Sequence, residues 1–78
     1  MPMTHKEKEF LKSWYYGLYL TMLRLREKSK TDKSKDVRIR KLRAEAAAKE
    51  AEYVLMNLMP DGVTPALREK AEDVVDTY

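Results

Sequence analysis

The feature that most constrains this chain is where its helical periodicity stops. The stretch 29–35 holds no apolar residue, and Pro60, Asp61 and Gly62 follow one another further on. Outside these two breaks, apolar side chains recur at the spacing of amphipathic helices. With two glycines and three prolines in 78 residues, the chain lacks the turn residues an all-β protein needs.

The first helix is expected over about 5–29. Thr4-His5-Lys6-Glu7 has the form of a capping box, with Thr4 as N-cap and Glu7 reaching back. Leu11, Trp14, Tyr15, Leu18, Met22 and Leu25 follow on one face. Strand formers crowd 15–23, but a period near 3.6 maintained over fifteen residues favours helix. The second helix is expected over about 36–59. Alanine and leucine dominate it, and Glu45 and Lys49 form an i,i+4 pair. Val37, Ala44, Ala51 and Leu58 recur at sevens with Ala47, Ala48, Val54 and Leu55 between them, which is a seam for another helix. The third is expected over about 65–77, with Thr64 as N-cap and Pro65 at the first helical position. Its apolar face is Leu67, Ala71, Val74, Val75 and Tyr78; Glu69, Glu72, Asp73 and Asp76 lie opposite. The fold class expected is therefore all-α: a long antiparallel helical hairpin plus a short third C-terminal helix, forming one domain over 1–78.

Folding the hairpin at the middle of its link sets Trp14 against Ala51, Gly17 against Ala48, Leu18 against Ala47 and Leu11 against Val54. Large residues then meet small ones, as interdigitated packing requires. A third helix of about thirteen residues, near 20 Å, covers only the lower half of such a hairpin. Helix 1 has a second apolar face, Tyr16, Tyr19, Leu20 and Leu23, and helix 2 another, Ile39, Leu42, Ala46 and Tyr53. One short helix does not cover both, and a bare patch of that size implies self-association, most simply a two-fold dimer.

Composition removes most chemistry. Without cysteine there is no disulfide and no thiolate metal site. His5 is the single histidine, so Ser13, Ser29 and Ser34 have no evident base, and the acidic residues of helix 3 lack the Glu-x-x-His pairs of di-iron bundles. Two isolated glycines make no phosphate-cradling loop. The expectation is a non-enzyme without cofactor, metal or small-molecule substrate. Residues 1–25 place lysines before an apolar run, but Glu7 and Glu9 interrupt the basic part and no small-residue cleavage site follows. The apolar run 14–25 is shorter than the roughly 20 residues a bilayer requires and contains Arg24. A soluble, cytoplasmic protein with no membrane partner is expected. The aromatic cluster Trp14, Tyr15, Tyr16 and Tyr19 is read as packing surface rather than a base-stacking platform.

Charge is the most informative signal. The net charge of +3 conceals a basic middle. Residues 24–43 set ten basic residues against Glu27, Asp32 and Asp36, whereas 44–78 set three basic residues against eight acids. A hairpin gathers those cations at one tip. At the start of helix 2 they oppose the helix dipole, so the local preference is broken with no structural gain. Arg24, Arg26, Lys28, Arg38, Arg40, Lys41 and Arg43 are the candidate polyanion-binding residues. Because those of helix 2 point in several directions, diffuse contact with phosphates or carboxylates is expected rather than base reading. Nucleic acid within a larger assembly is the first candidate partner and an acidic protein surface the second. The alternative is a protein-interaction factor (an adaptor, inhibitor or scaffolding piece) working through Tyr16, Tyr19, Leu20 and Leu23.

Overall fold

A computed structural model describes residues 3–59 and 62–77, which form three α-helices and, among the described residues, no strand. Helix α1 is His5–Thr31, α2 is Lys35–Leu58 and α3 is Val63–Thr77.

Each boundary has a local cause. At α1 the capping box is complete: the Glu7 N–H donates to Thr4 Oγ1 at 3.2 Å, and the Thr4 N–H donates to Glu7 Oε1 at 3.1 Å. The helix continues to Thr31, two residues past the expected end, because cations suit a helix C-terminus and Lys30 pairs with Glu27 at 2.9 Å. Residues 32–34 make the link. The Asp32 N–H donates to the Lys28 carbonyl, closing α1, and the Asp32 carboxylate accepts from the Ser34 N–H at 3.0 Å. Ser34 then caps α2, accepting from the Val37 N–H.

The break between α2 and α3 includes Pro60 and Asp61, which lie outside the described residues, as does Tyr78. Gly62 has φ of +81°, the left-handed region that favours glycine. Its carbonyl accepts from the Ala66 N–H, so α3 begins at Val63. Thr64 is therefore not the expected N-cap. It sits inside the first turn, 2% exposed, and its Oγ1 has no hydrogen-bond partner among the described residues. The glycine turn starts the helix earlier and draws Thr64 into the buried row it shares with Ala71.

The helices run up, down and up. α1 is the central element, packing on both others, while α2 and α3 touch less. Going up α1, Tyr16 meets Lys70, Tyr19 meets Glu72 and Leu23 lies beside Val75, so α3 runs parallel to α1. It climbs to the level of Arg24 and Glu27 rather than staying on the lower half. The molecule is elongated, 46 × 25 × 17 Å, with a radius of gyration of 13.8 Å against about 11.5 Å for a compact chain of this length.

The core is Tyr15, Ala51, Leu55 and Met59, flanked by Met3, Leu11, Leu18, Tyr19, Val63 and Leu67. Met22, Val37 and Ala48 are buried nearer the tip. The alanines serve as the sequence suggests, letting large α1 side chains settle against α2. The partner is Tyr15, however, and not Trp14, which is 39% exposed. Gly17 is also turned outward, with open space where a Cβ would stand, so it does not face Ala48. The reason is α3. Sandwiched between two helices, α1 centres its buried arc on Tyr15 and Met22, and Trp14, about 100° round the helix from Tyr15, falls at the margin. Leu58, expected in the α2 seam, is also exposed.

Polar contacts tie each pair of helices. Arg26 of α1 donates from Nε and Nη2 to Glu45 Oε2 of α2 at 3.1 and 2.8 Å. Arg68 of α3 pairs with Glu52 of α2 at 3.2 Å. The Tyr19 hydroxyl of α1 donates to Glu72 of α3 at 2.8 Å.

Candidate functional site

The closed end of the hairpin is where the charged candidates converge. At 1.5 Å per residue, Arg24 lies about 10 Å below the end of α1, and Arg43 about 12 Å below the start of α2. α3 ends beside Glu27 and Lys30, so the link and the first turns of α2 project beyond it.

The acids of this end are engaged locally. Glu27 holds Lys30, and Asp36 holds Arg40 at 3.3 Å. Asp32 accepts from the Ser34 N–H, and that bond holds its carboxyl below the usual range, with the Lys28 charge helping. Arg26 is committed to Glu45. Among the described residues this leaves Arg24, Lys28, Lys33, Lys35, Arg38, Lys41 and Arg43 without an ion pair.

The sequence candidates therefore separate. Arg26 and Arg40 stand at the tip but are tied by partners of this chain. Arg24 is exposed, yet shares a cleft with Glu27, Val75 and Asp76, which lowers the local potential. Lys28, Arg38 and Arg43 are exposed. Lys41 is half-buried, its row on α2 being the one that carries Val37, Ala44 and Ala48 inward, so its stem packs while its ammonium reaches water. The cations surround the end of the hairpin instead of lining one groove.

Two further features follow from α3. Its acids do not form a remote pole, because Glu72 and Asp76 line a cleft with Leu23, Arg26 and Lys30. The face Tyr16, Tyr19, Leu20 and Leu23, expected as an open interface, is half-buried. Lys70 Nζ sits 5.4 Å from the Tyr16 ring centroid, Tyr19 is bonded to Glu72, and Leu23 adjoins Val75. Burial raises the Tyr19 hydroxyl above its usual pKa, and the bond to Glu72 adds to this. Exposed large apolar residues instead occupy α1 at Phe10 and Trp14 and α2 at Ile39, Leu42, Tyr53, Met56 and Leu58. The spacing of Leu67, Ala71 and Val75 was the available signal that α3 would need a partner, but it did not say which face of α1 that would be.

Among the described residues no group of three or more metal-ligating side chains comes together, and no helix is long and apolar enough to cross a membrane. No protein-family model matches the chain, and neither curated proteins nor solved structures yield a match.

Proposed function

We propose that the protein is a non-enzymatic binding module whose hairpin tip docks on a polyanion, with nucleic acid as the partner. The observation that carries this reading is the charge balance of the tip. Each acid of 24–43 is engaged within that segment, while seven cations remain without an ion pair among the described residues. Such a layout repels itself in isolation and is relieved by phosphates, whose condensed counterions are released on contact. Cations distributed around a helical end suit backbone contact without base reading. A cytoplasmic location, compatible with the absence of cysteine, belongs to the same proposal. A second reading, protein interaction through an apolar face, is favoured by the exposed side chains of α2 rather than by the Tyr16 face.

Titration of the protein into mixed-sequence duplex DNA and RNA at about 50–200 mM salt tests the proposal. If Lys28, Arg38, Lys41 and two further cations each neutralise a phosphate, the log–log slope on duplex DNA is about −4.5. Lys28→Gln with Arg38→Gln reduces that slope by about 1.8, whereas Arg40→Gln, whose charge is already held by Asp36, reduces it less. Absence of binding at the lowest salt refutes the nucleic-acid reading. Binding to an acidic polypeptide but not to DNA or RNA reassigns the tip to an acidic protein surface.

A further inference from the structure

The outer side of α2, turned away from Ala48, Ala51 and Leu55, carries a second row at strict three–four spacing: Ile39, Leu42, Ala46, Lys49, Tyr53 and Met56. All six are exposed, with Leu42 at 58% and Tyr53 at 68%. Such spacing over about 26 Å is the pattern of a coiled-coil seam; α1 and α3 reach only its margin, where Lys49 shares a cleft with Tyr19 and Arg68 and Met56 one with Thr64 and Pro65, and Ile39, Leu42 and Tyr53 stay exposed. We infer that this seam pairs with a second copy of the same helix, antiparallel, in a two-fold dimer.

Charge selects both the occupant and its direction. The upper part of α2, 35–43, bears five basic residues and Asp36; the lower part, 44–58, bears Glu45, Glu50 and Glu52 with Lys49. A parallel pair would superpose like charges, whereas an antiparallel pair sets the basic part of each helix against the acidic part of the other. The row then meshes in register. Ile39 faces Met56 of the second copy, Leu42 faces Tyr53, and Ala46 faces Lys49, a small residue receiving a long stem. On one flank Arg43 lies beside Glu50 of the second copy, and the two-fold axis repeats that pair. On the other flank Glu45 and Glu52 meet each other, but each already holds an arginine of its own chain, Arg26 and Arg68. The polar Lys49 at the centre of the row fixes register at some cost in affinity. The contact is isologous and closes, so it gives a dimer rather than a filament.

The experiment is sedimentation equilibrium of the full chain from micromolar to near-millimolar concentration. A dimer is expected. Leu42→Glu with Tyr53→Glu shifts it to monomer while helicity by circular dichroism stays unchanged, since both side chains are exposed in the single chain. Arg43→Glu weakens dimerisation at least tenfold, and adding Glu50→Arg restores it. Because the chain has no cysteine, orientation is read directly. Leu42→Cys alone leaves its thiols about 16 Å apart along the seam and does not cross-link on oxidation, whereas Leu42→Cys with Tyr53→Cys does. A monomer throughout the concentration range, failure of the charge swap to restore the dimer, or efficient cross-linking of Leu42→Cys alone each overturns the inference. None of these readouts involves nucleic acid, so they stand or fall independently of the tip.

Discussion

Tyr15→Phe removes one atom from the centre of the molecule and isolates one energetic term. The Tyr15 ring is fully buried against Ala51, Leu55 and Met59, with the Tyr19 ring stacked at 5.8 Å between centroids. Its hydroxyl is buried with no hydrogen-bond partner among the described residues. A hydroxyl taken from water without compensation costs about 1–3 kcal/mol, while the substitution leaves the apolar ring in place. The variant is therefore expected to be more stable at pH 7 by about 1–2 kcal/mol, which in a domain of this size raises Tm by about 4–8 °C per kcal/mol. The control is Tyr19→Phe, the same chemical change where the hydroxyl donates to Glu72; it lowers stability. The alkaline limb offers an independent check. Burial pushes the Tyr15 hydroxyl up to about 12, with Glu52 adding to the rise and Arg68 opposing it. The unfolded chain ionises this group near 10, so the folded chain holds more protons between pH 10 and 12. Its contribution to stability is full below pH 10 and is lost as pH rises through 12, on the order of 3 kcal/mol in all. Tyr15→Phe lacks that portion of the alkaline loss. Urea denaturation from pH 7 to 12 measures both effects. A variant less stable than the parent by 1 kcal/mol or more at pH 7 refutes the reasoning, because the hydroxyl must then have a partner in solution.

Two further expectations concern the scaffold. Leu55→Ala empties a fully buried site and lowers stability by about 2–5 kcal/mol, while Ala51→Leu overfills the neighbouring one and costs about 1–3 kcal/mol; equilibrium urea denaturation measures both. The Thr4 backbone N–H holds the Glu7 carboxyl below its usual range, as the Ser34 N–H does for Asp32. The stabilisation from these lowered groups is full above the ordinary carboxylate range and is lost as pH falls below about 4, so acid should fray the start of α1 and the link first, read by amide hydrogen exchange.

Element type and order were legible because the signals were local. Thr4 and Glu7 specify a start by their spacing, Ser34 and Asp32 can satisfy a link from their own side chains, and the alanines of α2 specify close approach. The failures share one cause, which is that rotation about a helix axis is set by neighbours distant in sequence. Trp14 and Tyr15 are both large and aromatic, and nothing local ranks one above the other. The choice of Tyr15 depends on α3 covering the Tyr16, Tyr19 and Leu23 side. Thr64 departs from expectation for the complementary reason: its cap chemistry is correct by residue type, but Gly62, free to take φ of +81°, starts the helix before it. For the tip, the sequence shows how many cations gather there but not which remain unpaired. Arg26 finds Glu45 only once the hairpin has closed, so the most tightly held candidate was indistinguishable from Lys28 or Arg43 beforehand.

The two proposals constrain each other. In an antiparallel α2 pair the helices overlap almost end to end, so the two basic tips stand at opposite ends of a body about as long as the 46 Å chain. Such a dimer presents two sites that a single short oligonucleotide does not bridge and a longer one does. Linking two weak contacts makes the second effectively intramolecular, and the gain grows once the ligand reaches both ends. Duplexes of increasing length therefore separate the cases: a dimer binds with an apparent affinity that rises sharply once the duplex exceeds about 14 base pairs, the length that spans this distance at 3.4 Å per base pair. Leu42→Gln with Tyr53→Gln, which breaks the apolar row without adding a carboxylate beside Arg38, keeps the tip cations and abolishes the rise, leaving the salt slope of a single tip. If the wild-type affinity instead increases smoothly with length, as the number of overlapping sites does, the tips act singly even where the dimer forms. If the rise persists in the monomeric variant, it comes from crowding of separate chains on the duplex and not from the α2 seam.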